Sequence, residues 1–268
     1  MSDVYATISQ ADEAVQHQLA DVLELRAADR QQRAMLEEYL RDLPLSPGAR
    51  ALEIGCGTGA VARVLAGRPE VGEVTGIDPS PVFIERARRL AAGRPKLSFL
   101  VGDGRDLPFD DGCFDAVVCH TVLSHVPGPE RVLAEAARVA AAGGWLAAFD
   151  GDYATTTVAT STTDPLQACA QATMEAVVHD RFLVRRLPSL VRQAGWTVAR
   201  VRSHGYLETE APGYMLTIVD RGADRLAAEG RLGRAAADAL KEEARRRAAG
   251  GAFFGHIAYA SLIARRTA

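Results

Sequence analysis

Between Gln10 and about Asp42 apolar residues return at helical spacing: Val15, Leu19, Val22 and Leu23, then Met35, Leu36, Tyr39 and Leu40. Positions three and four apart share one face of a helix, so this stretch predicts a helical lead. Pro44-Leu45-Ser46-Pro47-Gly48 interrupts it, because proline removes an amide donor and glycine favours turns. The expectation is an N-terminal helical cap over residues 1–44 and one domain over residues 45–268.

Beyond the break, short apolar runs alternate with amphipathic stretches. Strands are expected at Ala51–Ile54, Glu73–Ile77, Leu97–Val101, Ala116–Cys119 and Trp145–Phe149, and helices at Ala60–Ala66, Pro81–Ala92 and Glu130–Ala141. Such alternation implies right-handed crossovers and a parallel sheet, and strands this apolar belong in a sheet covered on both faces. After Asp150 the rhythm changes: helices at Leu166–Val178 and Leu187–Ala194, a strand at Trp196–Val201, helices at Met215–Ala228 and Gly233–Ala249, then strand-like Ala252–Ala264. The connection over about residues 208–251 is long for a link between two strands, and length of that kind marks a helical lid insertion. The fold class expected is α/β.

Composition narrows the partners. A chain of 268 residues with 48% hydrophobic and 24% charged residues can build one large core without a metal or disulfide staple. Its net charge of −3 supplies no broad field for a nucleic-acid backbone, so no nucleic-acid partner is expected. Cys56, Cys113, Cys119 and Cys169 form no close C-x-x-C pair, which suits a reducing cytoplasm. The opening MSDVYATISQADEA lacks the apolar core of a signal peptide, and no run is long enough to cross a bilayer. A cytoplasmic protein with no membrane partner is the expectation. Arg245, Arg246 and Arg247, following Glu242 and Glu243, read as a solvated helix face.

The chemistry gathers at Glu53-Ile54-Gly55-Cys56-Gly57-Thr58-Gly59, where the first strand turns into the first helix after it. Glycines there let backbone approach a ligand closely. A glycine loop alone does not separate a dinucleotide enzyme from other nucleotide users. The acids do. Glu53, just before the turn, would repel a pyrophosphate and suits a cationic or hydrogen-donating ligand. Asp78 ends the second strand about twenty residues past the loop, where ribose hydroxyls are read. Asp103 follows the third strand and is placed to accept from an exocyclic amine. Three acids at successive strand ends suit adenosine joined to an amino acid.

On these residues the chain resembles the class I S-adenosylmethionine-dependent methyltransferases, in particular the small-molecule subgroup of the ubiquinone/menaquinone-biosynthesis type. The resemblance rests on ALEIGCGTG at 51–59, VTGIDPS at 74–80, VGDGRDLPFDDGCFDAVVCHTVLSHV at 101–126 and RVLAEAARVAAAGGWLAAF at 131–149. It implies a Rossmann-like seven-stranded, mostly parallel sheet whose antiparallel last strand lies between the fifth and sixth. It also implies S-adenosyl-L-methionine as cofactor and methyl transfer to oxygen, nitrogen or carbon of a small molecule. Gly55 and Gly57, with Cys56 between them, would meet the methionyl part. Asp78, with Pro79 beside it, would hold the ribose, Asp103 and the Gly104 amide would read adenine, and Phe83 would pack on the ring. His120 falls in the slot after the fourth strand, either as a pocket wall or as a packed strand-end histidine.

Methyl transfer to a hydroxyl or carbon also needs a base at the carboxyl edge of the strands. Asp150, Asp152 and Tyr153 follow the fifth strand, and His204 and Tyr206 end the sixth. An antiparallel last strand would bring His256 towards Asp150 and Asp152, and His125 after the fourth strand is its competitor. Tyr214, Met215, Leu216 and Ile218 either face an apolar acceptor or pack the insertion on the sheet. Arg26 and Arg33 either pair with the cofactor carboxylate or stand in solvent. No metal site is expected, Asp150 and Asp152 being too few ligands alone. Two other readings stay open: a nicotinamide-dependent oxidoreductase and a non-catalytic cofactor-binding protein.

Overall fold

A computed structural model describes residues 8–210 and 212–267. The first seven residues of the expected N-terminal cap therefore lie outside the described part.

The helical lead forms two helices, α1 (Glu13–Ala28) and α2 (Arg30–Arg41). Asp29 separates them and caps α2, its carboxylate accepting from the amides of Gln31 and Gln32 at 2.9 Å each. The alternating part follows as β1 (Ala49–Ile54), α3 (Ala60–Leu65), β2 (Val71–Asp78), α4 (Pro81–Leu90), β3 (Leu97–Val101), β4 (Phe114–His120), α5 (Pro129–Val139) and β5 (Ala140–Thr157). Then come α6 (Leu166–Val177), α7 (Leu183–Gln193), β6 (Trp196–Glu208), α8 (Tyr214–Ala228), α9 (Arg234–Ala249) and β7 (Gly255–Arg266).

All seven strands join one sheet in the order β3-β2-β1-β4-β5-β7-β6. β1 pairs in parallel with β2 and β4, whereas β7 runs antiparallel to both of its neighbours, β5 and β6. This is the sheet expected from the resemblance. Helices cover both faces, and Leu52, Ile54, Val117, Val118, Ala147 and Ala148 are almost wholly buried along the central strands.

Three elements depart from expectation. β5 and β6 run well past Phe149 and Val201, because each has β7 alongside to satisfy its backbone. α7 starts at Leu183 and carries Pro188 inside it. Nor is the Arg245–Arg247 run a bare solvated face. Arg247 pairs with Asp164, with side chains only 15% and 1% exposed, because α9 folds back against the β5–α6 connection.

The N-terminal helices sit on the carboxyl edge of the sheet. Glu24 of α1 accepts from the Thr58 hydroxyl at 2.5 Å and pairs with Arg63 at 2.8 Å, so α1 is tied to the glycine turn. Gln16 accepts from the Ser80 hydroxyl at 2.6 Å, tying the same helix to the turn after β2. Asp42, just past α2, pairs with Arg200 and Arg202 on edge strand β6.

α8 packs on α6 at closest approach through Gly222, where an added Cβ would overlap the carbonyl oxygen of Cys169. In an exposed helix Gly→Ala gains about 1 kcal/mol. At Gly222 the clash reverses that sign, so Gly222→Ala should lower unfolding stability by about 1–3 kcal/mol, read from the urea midpoint. A midpoint at or above wild type would show that α6 and α8 are not in this contact.

Candidate active site

A cavity of about 280 Å³ opens at the carboxyl edge of the parallel strands. One half is walled by the turns after β1, β2 and β3, the other by residues of α1, α2, α6 and α8 and the segment after β4.

In the first half the glycine turn is held in left-handed backbone, with φ of +69° at Gly55, +51° at Gly57 and +76° at Gly59. Only glycine adopts this freely. A side chain at Gly57 would also meet Leu23 of α1 at 2.9 Å. Asp78, 6% exposed, accepts from the Gly57 amide at 2.8 Å on one oxygen and from the Ser80 amide at 2.9 Å on the other. Each oxygen keeps a lone pair for a ligand. Burial pushes its pKa up from 3.8 to about 6, against the pull of those two amides.

Glu53 is 2% exposed, and its Oε2 has no hydrogen-bond partner among the described residues. Burial, with the nearby Asp78 charge adding to it, holds the carboxyl well above the usual carboxylate range. An orphaned acceptor this deep marks a place where a bound donor or cation belongs. Asp103 is also in the wall, but its carboxylate is forked by Arg105, at 2.7 Å from Nη2 and 3.0 Å from Nε. That hydrogen bond keeps Asp103 below the usual carboxylate range. Cys56, Pro79, Gly104 and the buried Phe83 complete this half.

At the end of β4, His120 Nδ1 lies 2.9 Å from the Tyr39 hydroxyl. Its ring stacks on Phe149 at 4.7 Å, and Phe149 stacks in turn on Tyr39 and Tyr259 at 5.2 Å each. Burial, reinforced by the charge of Arg26, holds His120 well below the usual imidazole range, so the ring is neutral. His120 is thus both wall and packed strand end. The next residue, Thr121, has φ of +52°, a strained value for a β-branched side chain. Its hydroxyl accepts from Arg26 Nη1 at 3.2 Å, while Arg26 Nη2 is buried without a partner among the described residues.

The expected bases divide. His125 lines the cavity, with its ring 6.1 Å from that of Tyr153. Asp150 does not reach towards β7. Its two oxygens take the Ser124 hydroxyl at 2.8 Å, the Ser124 amide at 3.0 Å and the Gly151 amide at 2.9 Å. Burial raises its pKa, and the charge of His125 works against that rise. Asp152 pairs with Arg185 at 2.7 Å. His256 sits in register with Thr157 on β5 and Leu207 on β6, with its ring beside Phe254, and it is not among the residues lining the cavity. The structure therefore puts His125 at the cavity with Asp150 near enough to feel its charge, and leaves Asp150 itself, Asp152 and His256 outside the lining. The register shift between Asp152 and Thr157 is the physical reason. His204 and Tyr206 serve the fold: His204 Nε2 meets Ser261 at 2.8 Å, and the Tyr206 hydroxyl donates to Glu208 at 2.6 Å.

Residues 52–148 match the methyltransferase domain family. Tocopherol O-methyltransferase of Arabidopsis thaliana is 41% identical over 98 residues, covering 35% of this chain and 28% of that protein. Demethylmenaquinone methyltransferase of Staphylococcus aureus is 33% identical over 122 residues, covering 45% of this chain and 50% of that protein. The chain thus spans half or less of the length of these curated relatives. The solved structure of Haemonchus contortus phosphoethanolamine N-methyltransferase 2 in complex with S-adenosyl-L-methionine shares the fold, with a TM-score of 0.55 at 16% identity, covering 88% of this chain and 53% of that one.

Several residues lining the cavity are not singled out by motif. Met174, Val177 and Arg221 line it, yet nothing in their local sequence distinguishes them from packing or surface residues. Tyr214, by contrast, divides from its neighbours: it lines the cavity while Met215 and Ile218 are buried core.

The raised pKa of Asp78 has a sign that can be measured. A carboxyl with a folded-state pKa above its unfolded value adds stability that is complete below about pH 4 and lost as pH rises through about 6. The stability of wild type relative to Asp78→Asn, from urea midpoints, should therefore fall between about pH 4 and pH 7. A difference independent of pH would mean that Asp78 is already ionised throughout.

Proposed function

We propose that this chain transfers the methyl group of S-adenosyl-L-methionine to a small-molecule acceptor. The observation that carries the reading is the buried, partnerless Oε2 of Glu53 inside the cavity. A pyrophosphate would be repelled there, whereas a methionyl ammonium supplies both the charge and the donors that this oxygen lacks. Glu53 and Asp103 have no task around a nicotinamide dinucleotide, which favours the sulfonium cofactor over an oxidoreductase. The relatives, a tocopherol and a demethylmenaquinone methyltransferase, agree with a small organic acceptor.

The bound cofactor would supply a methyl group already activated on sulfur. Glu53 and the backbone of Gly55 and Gly57 hold the amino-acid end, Asp78 and Pro79 the ribose, and Asp103, Gly104 and Phe83 the adenine. Arg26, with its free Nη2, takes the cofactor carboxylate. Helices α1 and α2 act as a cap and helices α8 and α9 of the insertion as a lid, together excluding water from the reacting groups. His125 takes the acceptor proton, with Asp150 nearby. Four unpaired cysteines suit a reducing cytoplasm. Among the described residues, no helix is long and apolar enough to cross a membrane.

Calorimetry should find S-adenosylmethionine binding and no NAD binding, and Asp78→Ala should weaken the former by about 1.5–3 kcal/mol. NAD affinity without sulfonium affinity would overturn the reading. At saturating cofactor, His125→Gln should slow turnover by about 10²–10⁴, while His256→Gln stays near wild type. The reverse order would return the base to β7.

A further inference from the structure

The carboxylates around the cavity are confined to one half, where Arg105 is already taken by Asp103. Among the described residues, the lining carboxylates are Glu53, Asp78 and Asp103, all at the ends of β1, β2 and β3. The far half holds cations. Arg33 is engaged by Glu37 at 2.9 Å, and Arg26 donates to Thr121 and lies 5.7 Å over the Tyr259 ring. Arg221 of α8 has neither a hydrogen bond nor an ion pair among the described residues.

The rest of α8 makes that lack specific. Its other charged side chains each have an ionic partner within the insertion or at its edge: Asp220 with Arg245, Asp224 with Arg234 and Lys241, and Arg225 with Glu229. Arg221 stands seven residues from Tyr214, two helical turns along one face, and both line the cavity. Between them Ile218 is buried in the core. α6 brings Met174 and Val177 to the same wall, and β5 brings Tyr153. The wall is apolar and aromatic with one uncommitted guanidinium.

The geometry points to an acceptor with an apolar, ring-sized body and an oxyanion, a carboxylate or a phosphate, that Arg221 receives as a two-pronged donor. The inference rests on the methyltransferase reading of the same cavity and names its substrate class. Guanidinium–oxyanion pairs in a partly desolvated wall are stronger than neutral hydrogen bonds and select against the uncharged isostere. Tyr153 and Tyr214 offer ring faces for the body.

The test uses the full chain with S-adenosylhomocysteine bound and three probes of one shape: 2-naphthoate, 2-naphthyl phosphate and neutral 2-naphthamide. An oxyanion probe should bind wild type about tenfold or more tighter than the amide. Which of the two anions binds better identifies the group. Arg221→Met should remove that preference while leaving amide and S-adenosylhomocysteine affinity unchanged, and Arg221→Lys should restore part of it. Equal binding of acid and amide, no binding of either anion, or a preference that survives in Arg221→Met would overturn the inference. Failure of S-adenosylhomocysteine itself to bind would instead overturn the cofactor reading, so the two failures are distinguishable.

Discussion

The Asp78 carboxylate joins two turns that are far apart in sequence, taking one backbone amide from the glycine turn and one from the turn after β2. Burying an anion is costly, and the two charge-assisted hydrogen bonds offset part of that cost. Through this group a continuous line of hydrogen bonds runs from Gln16 to Ser80, Asp78 and Gly57, and resumes from Thr58 to Glu24 and Arg63. Helix α1 is thereby fixed to the turns it covers. The shape of the nucleotide half depends on that line, because the left-handed glycines supply freedom and not rigidity.

The aromatic stack of Tyr39, His120, Phe149 and Tyr259 does for the centre of the cavity what Asp78 does for its edge. Its rings lie within 19° of parallel in the Tyr39–His120 pair and within 4° in the His120–Phe149 pair. It gives Arg26 an electron-rich floor and keeps His120 neutral, so the strand end contributes shape and a hydrogen-bond partner without a second positive charge. The strained Thr121 completes the arrangement by turning its hydroxyl to Arg26.

The nucleotide half is legible in the amino acids because its chemistry is local. Glycines needing positive φ and acids ending strands are both one-residue signals at fixed places in a βα unit, and Glu53, Asp78 and Asp103 all fall at the cavity. What local signals conceal is who else binds those acids: Asp103 is already forked by Arg105, two residues on. The acceptor half is harder to read, since its walls come from α6, α8 and β5, and a valine or arginine on a helix looks the same whether it faces solvent, core or cavity. Strand direction placed His256 near the edge correctly, but the register shift after Asp152 and the pull of Ser124 on Asp150 are tertiary facts. Both lengthened strands, β5 and β6, likewise owe their extra residues to β7.

The position of β7 also sets the order in which the sheet can be made on the ribosome. β5 and β6 emerge first, yet they are not neighbours, and nothing pairs the far edge of β5 until Gly255–Arg266 has left the exit tunnel. Until then β5 presents an open strand edge of the kind that recruits other chains. During that interval α8 and α9 have been synthesised but have no completed sheet to close over. Premature termination anywhere in α9 would therefore yield a polypeptide with most of its nucleotide half built and a sticky flank, a natural target for chaperones during synthesis.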